Sequence, residues 1–412
     1  MTGVQTCALP IFEMATFIAA PCTARFLADL GAEVIKVEPP KGDPLRYTAV
    51  NEGRPLDQKE NTSYDLENAG KTCIALNTKS EKGREALEKL LATADVFICN
   101  WRQSPLKRAG LDWETLHEKY PSLVYGYVSG YGEKGPDKDL PGFDFTAFYA
   151  RGGILGPLRD KNSLPMLTVQ GFGDHQVAMN LAAGVLAALF KAKMTGEGDH
   201  VVVSLFHSAI WDISLMLQAS QYGADSTQYP MERWKLGNPL VLCYETADGR
   251  WLQIAMPQYD RHYPILMNAM GHPELADDAR FYPQKNLIPN REEFSAWITA
   301  EFKTKNCDDW CRILDANDLP YAVAQGWDSL LEDRQAWASD CFYEMAYSNG
   351  NKRTLVRPPV LFDRMGLPPY ERGPYLGEQT KDILGELGYS TEDISAMLES
   401  GAAIDMDPAL QD

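Results

Sequence analysis

Residues 22–37 read CTARFLADLGAEVIKV. From Cys22 to Leu30 the apolar positions recur at helical spacing. The pattern stops at Gly31, a residue that ends helices because it takes left-handed backbone at no steric cost. Glu33–Val37 (EVIKV) is short, rich in β-branched residues and bounded on both sides, which predicts a buried strand. The alternation continues outward. Upstream, Phe12–Thr16 closes a short apolar run. Downstream, Ser80–Ala94 sets Leu87, Leu90 and Leu91 on one helical face, Asp95–Cys99 (DVFIC) reads as another strand, and Leu123–Val128 as a third, ending at Ser129-Gly130. Strands alternating with helices predict parallel βαβ units and an α/β fold.

Beyond this block, Pro136 to Gly156 is rich in turn residues. Met166–Gln170 leads through Gly171-Phe172-Gly173 into a long helix expected from His175 to about Met194, burying Val177, Leu181, Val185 and Leu189. His200–Leu205 reads as a short strand or as the entry to a further helix reaching about Gln221. The character changes around Tyr222–Asn238. Tyr244–Ala255 (YETADGRWLQIA) predicts a β-hairpin turning at Asp248-Gly249. Helical patterns fill the stretch from Tyr259 to Asn317, short strand-like pieces follow Leu319, and a helix-rich tail begins at Gly377. A chain of 412 residues exceeds the size at which one core stops growing, so two lobes are expected. The expected boundaries are a large domain over 12–222, a small domain over 223–320, and a return to the large domain over 321–412. Gly3–Ile11 (GVQTCALPI) looks like a translated sequencing-library adapter. It lacks the basic start of a signal peptide, so residues 1–11 are set aside and authentic sequence is expected near Phe12.

The formal net charge of −18 argues against broad nucleic-acid binding, which needs a basic face. No run of about 18 apolar residues is seen, so no membrane span is expected. Eight scattered cysteines lack the paired spacing of zinc sites; Cys307 and Cys311, four apart on an expected helix, are read as plain thiols. Reduced thiols suit a cytosolic compartment. Signatures of dinucleotide, P-loop, serine-hydrolase and zinc-peptidase sites are all missing.

One carboxylate stands out. Asp174 follows two glycines and opens the long helix. It reads either as a helix N-cap, for which Asp is favoured, or as a reactive group kept ionised by the helix dipole, with Gly171 and Gly173 leaving room for a ligand. His175 is its neighbour, but adjacent helical positions point about 100° apart, so a direct acid–base pair is not expected. Asn100-Trp101-Arg102 follows a strand end, where ligands gather in open α/β sheets. Trp101 can stack on a base while Arg102, Lys107 and Arg108 meet phosphates, or the set can be a basic turn with a packing tryptophan. Tyr131-Gly132-Glu133-Lys134-Gly135-Pro136 is either an active-site loop or a plain turn.

Together these segments resemble family III CoA-transferases, of the CaiB/BaiF type. The resemblance is carried by Ala20-Pro21, by Ala28–Glu38 with Gly42-Asp43-Pro44, by Leu76–Lys79 with Gly83, and by Asn100-Trp101-Arg102. Tyr131-Gly132, Gly135-Pro136, Pro141-Gly142-Phe143-Asp144, Gly173-Asp174 through Gly198, and Leu376-Gly377-Glu378 continue it. The stretches Asp43–Tyr47, Tyr64–Asn68 and Gly132–Asp144 are similar to the subgroup that loads CoA onto 2-hydroxy acids, including the cinnamoyl-CoA:phenyllactate and 2-hydroxyisocaproate CoA-transferases.

The resemblance implies a large Rossmann-like domain with a parallel sheet, a smaller α+β domain, and two ring-like subunits threaded through one another as a homodimer. It implies a cytoplasmic enzyme without a metal. Its substrates would be an acyl-CoA and a carboxylic acid, and its partners would include neither nucleic acid nor membrane. CoA would pass to a 2-hydroxy acid of aryl-lactate or 2-hydroxyisocaproate type through an aspartyl anhydride and an aspartyl-CoA thioester. Asp174 would be the nucleophile and Glu133 the second catalytic group. Contacts to CoA would fall on Asn77, Lys79, Asn100, Trp101, Arg108 and Tyr131. Two positions depart from the family pattern: Pro39 stands where a basic residue is frequent, and Gln379 where a histidine is. The alternatives are an acyl-CoA racemase of the same fold, or a CoA-thioester-binding protein without activity. Related racemases carry a histidine just before the aspartate of the Pro-Gly-x-Asp segment, where this chain has Phe143.

Overall fold

The strand β1 (Pro10–Met14) is buried on both faces. Phe12 and Met14 enter one core cluster, while Ile11 and the following Ala15 enter another. Such two-sided burial is the mark of a central parallel strand. In the computed structural model, which describes residues 9–222, 229–230, 232–364, 366 and 371–410, β1 sits in the middle of a seven-stranded sheet. The expectation of an adapter-derived start falls largely on residues outside those described, although Pro10 and Ile11 open β1.

Helix α1 (Ala19–Asp29) returns the chain to β2 (Glu33–Glu38), which pairs parallel with β1. Helix α2 (Thr62–Asn68) precedes β3 (Thr72–Leu76), parallel to β2. Helix α3 (Glu81–Leu91) then leads to β4 (Val96–Cys99), which pairs with the opposite side of β1. The small helices α4 (Gln103–Ala109) and α5 (Trp113–Lys119) lead to β5 (Val124–Ser129). The helix α6 (Phe172–Thr195) precedes β6 (His200–Ser204), and both strands continue the parallel ladder. Ser204 then caps α7 (Leu205–Asp212) through the His207 amide. The strand order, β3-β2-β1-β4-β5-β6, reverses direction between β1 and β4.

Two sequence expectations are corrected here. The turn-rich stretch Pro136–Gly156 contains a π-helical segment, Asp144–Ala150, whose Ala147, Phe148 and Tyr149 are buried. Tertiary packing of these apolar residues overrides the Pro and Gly signals that precede them. The helix α6 is long and apolar enough to cross a membrane by length and composition, contrary to the expectation that no segment is. Val177, Leu181 and Val185 are fully buried in the same cluster as Val34, Val96 and Val124, and this packing on the sheet accounts for the apolar character.

The chain divides into two compact units. The first takes residues 1–155, 167–215 and 335–412, and the second takes 156–166 and 216–334. The second unit holds a three-stranded antiparallel sheet of β7 (Cys243–Glu245), β8 (Trp251–Ile254) and β9 (Tyr321–Val323). Pairing of Tyr244 with Leu252 is the hairpin expected from the sequence. Its core packs Phe294, Phe302 and Trp310 from the helices Gln284–Phe302 and Cys307–Ala316. In the first unit, β10 (Phe342–Ala346) and β11 (Lys352–Val356) form a hairpin anchored by Tyr347, whose hydroxyl donates to Asp65 at 2.6 Å. A short antiparallel strand, β12 (Ala403–Ile404), covers the β3 edge. Just before it in space, Gln379 and Thr380 accept hydrogen bonds from the Cys73 and Ala75 amides, so these residues complete the same edge.

Candidate active site

In open parallel sheets the crevice lies beyond the carboxyl ends of the strands where the order reverses. Here that point is between β1 and β4, and a cleft of about 260 Å³ occupies it. The exit of β1 supplies Thr16, Phe17 and Ile18; the exit of β4 supplies Asn100 and Arg102. Asn100 ties the two together, because its amide accepts from the Thr16 N–H at 3.1 Å and donates to the Thr16 carbonyl at 2.8 Å. The far wall is Leu140–Asp144, and Asp174 reaches the cleft from α6. That wall approaches the β5 exit closely: a Cβ on Gly130 would come within 2.6 Å of the Gly142 Cα.

Phe17 carries a φ of +64°, a left-handed backbone that a bulky residue adopts only when its surroundings hold it there. Its amide donates to Asp43 Oδ1 at 3.0 Å. Asp43 belongs to a fully buried ionic network that the sequence reading missed. Lys36 Nζ contacts Glu13 at 2.6 Å and Asp43 at 3.0 Å, and Lys71 Nζ contacts the other Glu13 oxygen at 2.6 Å. Glu13 and Lys36 are cross-strand neighbours on β1 and β2. Nearby, Glu38 would be held protonated by burial, but the Arg46 guanidinium outweighs this and brings its carboxyl down to about 2.

At Asp174 the structure revises the local reading. The N-cap of α6 is Gly171, at φ +82°, and Asp174 lies in the first turn without a capping bond of its own. The capping group is Asp144: its Oδ1 accepts from the Gly173 amide at 3.1 Å. Gly173 does not make room for a ligand either, since a Cβ there would meet the Phe148 ring at 2.3 Å and Asp144 Oδ1 at 2.5 Å. Nor is the Asp174 carboxyl kept strongly acidic. Burial, followed by the charges of Asp144 and Glu67, pushes it up to about 7. Asp144 rises to about 6 through burial, against its bonds from the Gly171 and Gly173 amides.

His175 pairs with Glu67, Nε2 to Oε1 at 2.9 Å. Burial disfavours its charge, but the bond and charge of Glu67 prevail and hold its pKa above the usual value. The Cys22 thiol, the Glu67 carboxylate and the His175 imidazole come within 4.8 Å of one another. Glu67 is already engaged by His175, and burial together with Glu67 keeps the Cys22 thiol protonated.

The profile of CoA-transferase family III matches residues 9–380. The chain belongs to CoA-transferase family III. It is 51% identical over 388 residues to the cinnamoyl-CoA:phenyllactate CoA-transferase of Clostridium sporogenes, covering 94% of each chain. It is 39% identical to the (R)-2-hydroxy-4-methylpentanoate CoA-transferase of Clostridioides difficile, covering 95% of this chain and 97% of that one. A crystal structure of a CAIB/BAIF family protein from Brucella suis superposes with a TM-score of 0.78 at 27% identity, over 92% of this chain and 98% of that one.

Of the residues that the family resemblance singles out, Asp174 and Asn100 line the switch-point cleft. Asn100 does so with its amide committed to Thr16. Glu133 does not line that cleft. Its Oε1 accepts from Gln103 at 2.6 Å and lies 3.6 Å from His200 Nε2, and burial raises its pKa. Gln103 itself lines the cleft, so Glu133 is one hydrogen bond removed from it. Trp101 is half-buried against the core on one face of the sheet. Arg108 is exposed on α4 and donates to Ser104 at 2.6 Å, while Arg102, nearer the strand end, lines the cleft. Asn77 and Lys79 follow β3 on the same edge of the sheet, with the Lys79 amide 3.3 Å from Asn77 Oδ1. Tyr131 lies just beyond β5 with the Arg151 guanidinium 5.0 Å over its ring.

Proposed function

We propose that this family III CoA-transferase moves coenzyme A from an acyl-CoA to a 2-hydroxy acid of aryl-lactate or 2-hydroxyisocaproate type, with Asp174 as nucleophile. The observation that carries this reading is the position of Asp174: a carboxyl poised near neutrality, free of capping bonds, in the cleft at the strand-order reversal. The two relatives named for phenyllactate and 2-hydroxy-4-methylpentanoate support the acceptor class. So does the cleft lining, where Phe17 and Phe143 meet edge to face at 6.4 Å and Leu140 is exposed, a surface suited to an aryl or branched alkyl chain.

The Asp174 carboxylate attacks the donor thioester carbonyl; the C–S bond breaks, CoA thiolate leaves and a mixed anhydride forms. The thiolate then attacks the aspartyl carbonyl, releasing the donor carboxylate and leaving an aspartyl-CoA thioester. The acceptor carboxylate attacks that thioester, expelling thiolate and forming a second anhydride. Thiolate attack on the acceptor carbonyl yields the new acyl-CoA and returns Asp174. Each intermediate hydrolyses, so water has to be kept out. In this reading Glu133 assists from the β5 loop, and Asn77, Lys79, Asn100, Trp101, Arg108 and Tyr131 serve CoA along the carboxyl edge of the sheet. Arg102 joins them as a cation in the cleft.

The same reading takes the enzyme as a cytoplasmic homodimer with a large CoA-binding domain and a small domain. Leu186, Phe190 and Met194 recur every fourth residue along α6, one helical stripe, and Phe190 and Met194 are each 74% exposed. An apolar stripe of this kind is what a second subunit would cover.

Attack requires an ionised carboxylate. With Asp174 raised to about 7, kcat/KM for the donor is expected to fall about tenfold per unit below that pH and to level off above it. The assay that tests the substrate reading offers butyryl-CoA or cinnamoyl-CoA with phenyllactate, 2-hydroxyisocaproate and their 2-deoxy analogues. Transfer to the hydroxy acids is expected to exceed that to the analogues. Failure with every 2-hydroxy acid, or solvent deuterium entering the α-carbon without acid exchange, contradicts it.

A further inference from the structure

A helix whose N-cap is glycine lacks a side-chain acceptor for its first amides. In α6 that gap is filled from 29 residues upstream, by the Asp144 carboxylate on the Gly173 amide. Asp144 is only 4% exposed, it lines the same cleft as Asp174, and its second oxygen has no hydrogen-bond partner among the described residues. Helix capping alone does not require a carboxylate, since Asn and Ser cap as well as Asp. A buried carboxylate with an idle oxygen costs more free energy than a neutral amide in the same place would. Its charge therefore calls for an explanation beyond the cap, and the nearby group that this charge acts on is Asp174.

We propose that Asp144 is a positioning residue for Asp174: it caps α6 from outside the helix, which leaves the Asp174 carboxyl free in the cleft, and when ionised it sets a negative charge beside that carboxyl. The consequence is a nucleophile of raised basicity. Two carboxylates sharing a poorly solvated site cannot both ionise easily, so each holds its proton more tightly than it would alone. The other groups facing Asp174 divide by element. Glu67 on α2 adds to the effect and His175 on α6 opposes it while paired to Glu67; the Cys22 thiol on α1, beside that pair, stays neutral. Arg102, Lys138 and Asp139 stand around the cleft. This inference rests on the reading of Asp174 as the nucleophile.

The test compares pH profiles of kcat/KM for the donor acyl-CoA in the parent, Asp144→Asn and Asp144→Ser. Asn and Ser both keep a capping oxygen and remove the charge. The acid limb is expected to move down by about one pH unit in both, so that activity at pH 5.5 relative to pH 8 rises about tenfold. At pH 8 turnover is expected to fall a few-fold, because a less basic carboxylate is a weaker nucleophile. An unmoved acid limb in a folded variant overturns the proposal and leaves Asp144 as a cap alone. Should Asp144→Asn fold poorly, Asp144→Ser reads the same quantity through the shorter cap. Hydroxylamine trapping in the parent separates the two ideas: a hydroxamate at Asp144 instead of Asp174 overturns the nucleophile reading itself, whereas a hydroxamate at Asp174 with an unmoved limb overturns only this one.

Discussion

Asp174→Asn is expected to lower turnover by roughly three orders of magnitude or more, the usual scale for removing a nucleophile. The substitution keeps shape and polarity and removes only the attacking oxygen. The structure makes this a cleaner experiment than the sequence allowed. Were Asp174 the helix cap, Asn would replace it with little effect. Because Asp144 makes the cap, a loss of activity cannot be assigned to an uncapped helix. Stability moves the other way. The carboxyl titrates at about 7 in the folded protein, above its unfolded value, so ionising it destabilises the fold: stability declines as pH rises from about 4 towards 7 and stays reduced above. The amide carries no such charge. The Tm of Asp174→Asn at pH 8 is therefore expected to equal or exceed that of the parent, the pattern of a site that trades stability for chemistry. Slow deamidation would restore aspartate, so activity has to be followed from freshly made protein.

The second large effect concerns Glu13. Replacing it with Ala leaves Lys36 on β2 and Lys71, just before β3, with no carboxylate between them. Both lysine heads are fully buried. Removing one partner of a buried ionic pair costs about 3–5 kcal/mol, mostly because the remaining charge is stranded. Burial already pulls Lys71 down to about 8, so losing Glu13 should drive it to shed its proton altogether. Lys36 keeps Asp43, and the strain will be felt there, in the contact that holds Phe17 at positive φ. Chemical denaturation of Glu13→Ala at pH 7 should show a midpoint shift of that size with the slope preserved.

Why these features differ in legibility is physical. Alternating strands and helices from Cys22 to Val128 are written in local apolar spacing, and the hairpin at Asp248-Gly249 in local turn chemistry. Their positions were accordingly readable. The buried network was not, because Lys36 inside EVIKV looks like the polar member of an ordinary strand. What buries it is the placement of β2 between β1 and β3, a long-range fact. The start of α6 was read from Asp174 outward, which hid the true cap, since Asp144 is distant in sequence and sits in a segment rich in turn residues. The same local reading put Asp174 under a helix dipole and expected it to be acidic. Desolvation and a second carboxylate win instead, and neither is visible along the chain. Glu133 and the positions proposed to serve CoA came from family resemblance. Their distribution along the carboxyl edge of the sheet follows from strand order, and the bond from Gln103 to Glu133 is a tertiary contact that no spacing encodes.

The central claim, that Asp174 carries the acyl and CoA groups in turn, is tested most directly by trapping. Donor acyl-CoA is mixed with the enzyme without acceptor, hydroxylamine is added, and the digest is read by peptide mass. The account predicts a hydroxamate on the peptide containing Asp174, formed before any acceptor is present and missing from Asp174→Asn. An unmodified Asp174 peptide under conditions where transfer proceeds, or a hydroxamate on Asp144 or Glu133 instead, would contradict it.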